Sequence, residues 1–279
     1  MAAAALASAQ TPATAPVKRK GRIRQAAMRV NFTPNMPFEQ MCQIGARLGI
    51  KGFDLTPNQD WPILQKYGMV CTMSNTGGVS FENGLIRKES HDDLVKSVSA
   101  QIDANAAGGV TNLITVGGQR RGMSDEQGWE NAAALLNRLK ARAEDKNVTI
   151  CLEIMNNKYQ DATLGRVDQI ANHLSWGVEL CKRVNSPRVK LLCDIYHLQI
   201  MDGNVVENIR NNIQWIAHFH TGGVPGRREI DDSQELNYRY IAKAIADLGF
   251  SGYVAHEYRL TPGKDSAEEL NRAMEIMDA

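Results

Sequence analysis

A chain of 279 residues, 43% hydrophobic and 23% charged, has the composition of a globular protein long enough to bury a sizeable core. No apolar run approaches the roughly 20 residues needed to cross a bilayer, so no membrane-spanning segment is expected. The formal net charge is +1, yet Lys18, Arg19, Lys20, Arg22, Arg24 and Arg29 all precede the first acid, Glu39; the remainder carries about −5, a poor match for a nucleic-acid backbone.

The first 24 residues read as a tail. "MAAAALASAQTPATAPVKRKG" is Ala-rich, then Pro/Thr-rich, and "ALASAQ" resembles the small-residue end of an export signal, without the positive region that precedes one. The expectation is a periplasmic or exported protein, with a cytoplasmic one as the alternative. The basic residues that follow read as a solvated tail.

From residue 25 to 279 the chain alternates apolar runs with amphipathic segments. Strand candidates are "MRVNF" from 28, "GFDL" from 52, "MVCTMSN" from 69 and "NLITVGG" from 112. They continue with "VTICLEIMN" from 148, "VKLLCDIYH" from 189, "IAHFHTGG" from 216 and "GYVAHEYR" from 252. Several are almost continuously apolar, as parallel strands covered on both faces are. "HDDLVKSVSAQIDANAAGG" sets Leu94, Val98 and Ile102 on one helical face and stops at Gly108 and Gly109. "SDEQGWENAAALLNRLKARAEDKN" opens with Ser124 and Gln127 at capping-box spacing. "YRYIAKAIADLG" stops at Gly249. Strand and helix alternating eight times in about 250 residues predicts an α/β fold, a single (β/α)8 TIM barrel. A doubly wound sheet is disfavoured because the first strand is followed by "TPNMPFEQ" and not by a glycine fingerprint. Cys42, Cys71, Cys151, Cys181 and Cys193 include no CxxC pair and read as structural.

Barrels of this kind work at the C-terminal ends of their strands. Four ends carry groups a core rejects: Glu153 in "CLEIMNN", Asp194 in "LLCDIYH", His220 in "AHFHTGG" and Glu257 in "AHEYR". A buried carboxylate is costly unless paired or bound to a cation. One such acid is readily explained by an ion pair with Arg or Lys; four strands in register are better explained by a shared metal. Three carboxylates and an imidazole suit Mg²⁺ or Mn²⁺ and also accept Co²⁺ or Zn²⁺. His218 shares a strand face with His220 and reads as a core histidine bonded to a neighbour; His256 should face the helices, and His91 and His173 look ordinary. His197 is placed to reach a substrate, and Arg227 or Arg228 could clamp an anion bidentately. Asn156, Asn157 and Lys158 are candidates for binding hydroxyls. The tryptophans read as packing.

"LEIMNN", "CDIYHLQIMDGN", "IAHFHTGGVPGRREID", "ELNYRYI" and "GYVAHEYR" together resemble the hydroxypyruvate isomerase branch of the xylose-isomerase-like TIM barrels, from about Arg24 to Arg259 and most densely from Val148. The resemblance implies a divalent metal on Glu153, Asp194, His220 and Glu257, the two glutamates doubling as acid/base groups, and substrate contacts from His197 and Arg227. It departs at His220, where hydroxypyruvate isomerases often show glutamine and ketose 3-epimerases histidine. The expected reaction is isomerisation of a small hydroxycarbonyl compound, of the hydroxypyruvate to tartronate semialdehyde type, through a cis-enediolate. Alternatives are ketose 3-epimerisation at the same site, metal-dependent nucleic-acid repair, which needs more histidines and a basic face, and a non-catalytic sugar-binding barrel. The expected partner is a small hydroxycarbonyl or sugar, with no nucleic acid; assembly into a homo-oligomer stays open.

Overall fold

The computed structural model describes residues 17–161 and 165–279; the Ala-rich segment read as an export signal lies outside the described residues. Eight strands close a parallel barrel: β1 (Arg24–Ala27), β2 (Gly52–Asp54), β3 (Val70–Met73), β4 (Asn112–Val116), β5 (Thr149–Glu153), β6 (Val189–Asp194), β7 (Ile216–Thr221) and β8 (Tyr253–His256). Their order is β3-β2-β1-β8-β7-β6-β5-β4. The ring closes between β3 and β4, where the Ser74 N–H donates to the Asn112 carbonyl and the Ile114 N–H to the Ser74 carbonyl, both at 3.0 Å.

Around the barrel run α1 (Phe38–Leu48), α2 (Trp61–Lys66), α3 (His91–Gly108), α4 (Asp125–Asp145) and α5 (Leu174–Val184). Then come α6 (Ile195–Met201), α7 (Val205–Asn212), α8 (Tyr238–Asp247) and α9 (Ser266–Ile276). Chain termination follows the glycines: Gly109 after α3 and Gly249 after α8 take φ of +71° and +69°, the left-handed region that costs glycine least. The capping box on α4 is half formed. Ser124 Oγ accepts the Gln127 N–H at 3.2 Å, while the Gln127 side chain turns forward to Asn131 Oδ1 at 2.8 Å.

Two apolar layers hold the barrel. Between strands and helices lie Ile102, Leu113, Leu135, Leu136, Ile150 and Leu191, all buried. Inside it, Met73, Cys151 and Leu192 form a plug, with Ile114 and Ala217 packed against them. Cys151 and Leu192 sit two residues before Glu153 and Asp194, so strand alternation puts this apolar floor directly beneath the acids. All five cysteines are buried free thiols, as expected, with burial pushing those of Cys42, Cys71 and Cys181 up to about 12.

Two expectations need correction. The first strand is not "MRVNF" but Arg24–Ala27, four residues earlier and beginning inside the segment assigned to the tail; residues 29–31 form a 3-10 turn. "RQAA" has little β-propensity, and its pairing with Tyr253–His256 on one side and with β2 on the other makes it a strand. Asn31 then turns the chain, accepting the Met28 N–H at 2.7 Å and donating to the Tyr258 carbonyl at 2.9 Å. Second, the basic segment is not a free tail. Arg19 donates to Asn271 at 2.8 Å, the Lys20 N–H to Asp278 at 3.0 Å, and Arg22 pairs with Asp247 at 2.8 Å, so it is laid against the C-terminal helices.

At Gly52 an added Cβ would stand 1.9 Å from the Val70 carbonyl oxygen. Gly52→Ala must push β2 away from β3. The expected cost is about 3 kcal/mol, a fall in Tm of roughly 5–10 °C, and thermal denaturation by circular dichroism reads it directly.

Candidate active site

The mouth of the barrel gathers the four strand-end groups. Register brings Asp194 of β6 beside His220 of β7. The Glu257 N–H, just past β8, donates to the Thr221 carbonyl at 2.9 Å. Asp194 also caps α6: its Oδ1 accepts the Tyr196 N–H at 2.9 Å, which leaves Oδ2 to face inward. From His220 Nδ1 the distances are 2.5 Å to Glu257 Oε2 and 3.9 Å to both Glu153 Oε1 and Asp194 Oδ2. One ligating atom from each of the four residues falls within 4.8 Å of the others, and Glu153, Asp194 and His220 are buried.

The crowding fits a cation. His220 Nδ1 and Glu257 Oε2 are buried and make no aligned hydrogen bond despite lying 2.5 Å apart. Three carboxylates and an imidazole nitrogen that converge without bonding one another form a hard donor set for a divalent ion. Burial and the neighbouring Glu257 charge drive the Glu153 carboxyl upward. Burial works the same way on Glu257, but Arg227 and His220 beside it hold it below the usual carboxylate range. Two neighbouring carboxyls are thus pushed apart in proton affinity.

Arg227 is where sequence reasoning and structure part. It reaches the site, but Nη2 sits 2.5 Å from Asp194 Oδ2 and 2.6 Å from Glu257 Oε2, so its charge is spent on the chain's own acids. The loop that carries it is tightly made. Arg227 has φ of +54°, its N–H donates to the Gly223 carbonyl at 2.8 Å, and its carbonyl accepts the Arg259 N–H at 2.7 Å. Such a backbone conformation in a non-glycine residue persists where its surroundings over-determine it. Arg228 instead points outward and donates to the carbonyls of Arg259 and Leu260.

His197 is buried in α6. Its Nδ1 accepts the Asn156 backbone N–H at 3.1 Å, and its Nε2 lies 3.2 Å from Arg227 Nη1. Burial pulls its pKa down to about 4, which keeps the ring neutral. Asn156 therefore orients His197, and Asn157 donates to the Gln169 carbonyl at 3.1 Å. Above the cluster opens a cavity of about 380 Å³, with Glu153, His220 and Glu257 in its floor and Leu55, Phe81 and Ile114 among its walls. Among the described residues no lysine or arginine lines it.

One residue was overlooked in the sequence. Asp54 ends β2 inside the barrel, buried, with Oδ2 2.8 Å from His220 Nε2. An acid at the end of the apolar stretch "GFDL" met the same criterion as Glu153 and Asp194. His218 is buried in the core as expected, with Nε2 2.7 Å from the same oxygen, but neither of its ring nitrogens makes an aligned hydrogen bond. His256 lies under the helices, bonded to Gln25 and Thr221 at 3.0 Å each. Burial lowers its pKa to about 3. Because the unfolded ring protonates near 6.5 while the folded ring resists, this group's share of stability is present above 6.5 and lost as pH falls towards 3. Urea midpoints measured across that window are expected to decline less steeply in a His256→Gln variant than in the unaltered protein.

A parallel barrel with a buried carboxylate–imidazole cluster at its C-terminal mouth defines a barrel of the enzyme type. The profile of the xylose isomerase-like TIM barrel family matches residues 45–279, and the chain belongs to that family. It is 42% identical over 88 residues to a putative hydroxypyruvate isomerase of Xenopus laevis, covering 32% of this chain and 31% of that relative. The chain thus spans about a third of the length of that curated relative. A D-psicose 3-epimerase of Ruminiclostridium cellulolyticum is 26% identical over 204 residues, 68% of this chain and 64% of the relative. Among solved structures, AP endonuclease, family 2, from Brucella melitensis superposes with a TM-score of 0.76 at 23% identity, covering 89% of this chain and 96% of that one. That likeness is one of fold.

Proposed function

We propose that this chain is a divalent-metal-dependent isomerase that moves a proton between adjacent carbons of a small hydroxycarbonyl compound, of the hydroxypyruvate to tartronate semialdehyde type. The observation that carries the reading is the pair Glu153 and Glu257, flanking one imidazole at 3.9 and 2.5 Å with Asp194 beside them at the barrel mouth. Two carboxylates on either side of one bound substrate are what proton transfer between neighbouring carbons requires.

Glu153, Asp194, His220 and Glu257 would hold the metal, Mg²⁺ or Mn²⁺ by donor hardness. The ion supplies Lewis acidity that makes the proton beside a carbonyl easier to remove. Glu257 and Glu153, the carboxylates flanking the imidazole, would take that proton and return one to the neighbouring carbon, their roles exchanging in the reverse direction. His197 Nε2 and Arg227 Nη1, 3.2 Å apart beside the acids, are the candidates for contacting a substrate oxygen. Phe81 and Ile114 give the cavity above the acids an apolar wall.

A second reading, 3-epimerisation of a ketose, is favoured by one observation: among the described residues no cation lines the cavity, and Arg227 is engaged by Asp194 and Glu257. A metal-reconstituted screen over hydroxypyruvate, tartronate semialdehyde and free ketoses separates the two. Turnover confined to the three-carbon acids supports the isomerase, and turnover confined to ketoses replaces it with the epimerase. Absence of both, with no tight metal site on titration, leaves a non-catalytic sugar-binding barrel.

A further inference from the structure

We infer that Asp54 is a positioning residue for the metal site, holding the His220 ring so that Nδ1 alone faces the carboxylates, with His218 bracing Asp54 from the other side. The inference rests on the metal reading above. β2 and β7 are not neighbours in the sheet, since β1 and β8 lie between them, so the Asp54 side chain reaches His220 across the barrel interior. Its Oδ1 accepts the Thr72 hydroxyl. Its Oδ2 lies 2.8 Å from His220 Nε2 and 2.7 Å from His218 Nε2.

An imidazole has two nitrogens, and which one can bind a metal is set by what the other does. With Nε2–H of His220 committed to Asp54, the Nδ1 lone pair is the ring's only free donor, and it points at Glu153, Asp194 and Glu257. Asp54, His218 and His220 are each essentially solvent-inaccessible. Among the described residues the ion partners of Asp54 are the two imidazoles. The His218 and His220 rings meet edge to face at 5.3 Å, which fixes the tilt of His220 as well as its flip.

The same three residues are close enough to be considered as a second cation site. What sets it apart is the aligned hydrogen bond of 2.8 Å between His220 Nε2 and Asp54 Oδ2, whereas His220 Nδ1 and the Glu257 oxygen facing it make none. The trio is a support behind one ligand.

The test uses Mn²⁺ alone as the probe, titrated by calorimetry into the full-length protein, Asp54→Asn, Asp54→Ala and His218→Gln, each first checked for folding by circular dichroism. The expected result is one Mn²⁺ per chain in the unaltered protein. Asp54→Asn should weaken binding by about 10–100-fold, the usual loss on removing a ligand's outer partner, and His218→Gln by less. Nitrogen-15 spectra of the zinc-loaded protein supply a readout that a merely structural role would not move. One imidazole metallated at Nδ1 and protonated at Nε2 is expected, and its Nε2–H signal should be lost or shifted in Asp54→Asn. Affinity within twofold and an unchanged Nε2–H signal in folded Asp54→Asn overturn the inference while leaving the metal reading intact. Two ions per chain, the second lost in Asp54→Asn, overturn it in favour of a second metal site. If the unaltered protein binds no Mn²⁺ and no Zn²⁺, the proposed function and this inference fall together. Should Asp54→Asn and Asp54→Ala fail to fold, His218→Gln with unchanged affinity and an unmoved spectrum is enough to overturn it.

Discussion

Glu153→Gln and Glu257→Gln are each expected to lower kcat by about 10³-fold or more while the barrel stays folded. General acid–base transfer alone is worth about 10²–10⁴-fold, and each residue is also a candidate metal ligand, so loss of charge acts twice. The two variants should differ in stability, which separates chemistry from folding. Burial holds the Glu153 carboxyl above its unfolded value, so the folded state binds a proton more tightly than the unfolded chain and stability drains away as pH rises. Glutamine removes that drain, and metal-free Glu153→Gln should melt no lower than the unaltered protein at neutral pH. Glu257 has the opposite shift because Arg227 and His220 surround it. Its glutamine variant strands part of the Arg227 charge and should melt lower. Full activity in either variant on the true substrate would sink the proposed proton transfer.

Removing Arg227 should have the largest effect on stability, and metal should reverse it. In the metal-free protein its guanidinium bridges Asp194 and Glu257 at 2.5 and 2.6 Å inside a site that is almost wholly buried. Taking away one member of such a network leaves buried charge uncompensated, at a cost of about 3–5 kcal/mol. Asparagine is the replacement to make, because it tolerates the left-handed backbone at this position better than most residues. Arg227→Asn in chelator is expected to melt well below the unaltered protein, and saturating Mn²⁺ to recover most of the difference by preferential binding to the folded state. Equal melting temperatures in chelator would show that the acids do not depend on Arg227. A deficit that metal leaves untouched would show that metal and guanidinium do not share these carboxylates.

The barrel was legible because its signals are local. Apolar runs such as "VTICLEIMN" and "VKLLCDIYH" declare buried parallel strands, and a lone acid near the end of each announces itself by the cost of its burial. Glu153, Asp194, His220 and Glu257 were found in this way, and the structure brings them together. The strand at Arg24–Ala27 was missed because "RQAA" carries no local signal and is held extended by its neighbours in the barrel, Tyr253–His256 and β2. Asp54 was passed over because one acid on a three-residue strand looks like a strand end until the histidines facing it are known.

By itself, then, the order of residues determined the alternation of strand and helix, the apolar floor and the identity of the four inward-facing ligand candidates. These follow from periodicity and from the free energy of burying each side chain, both properties of short stretches. Only the closed barrel decided that Arg227 turns back onto Asp194 and Glu257, that His197 takes its orientation from Asn156, and that Asp54 reaches across to His220. Those partnerships join residues from 30 to 166 positions apart, and which polar groups meet is set by the curvature and register of strands that are not neighbours in the chain.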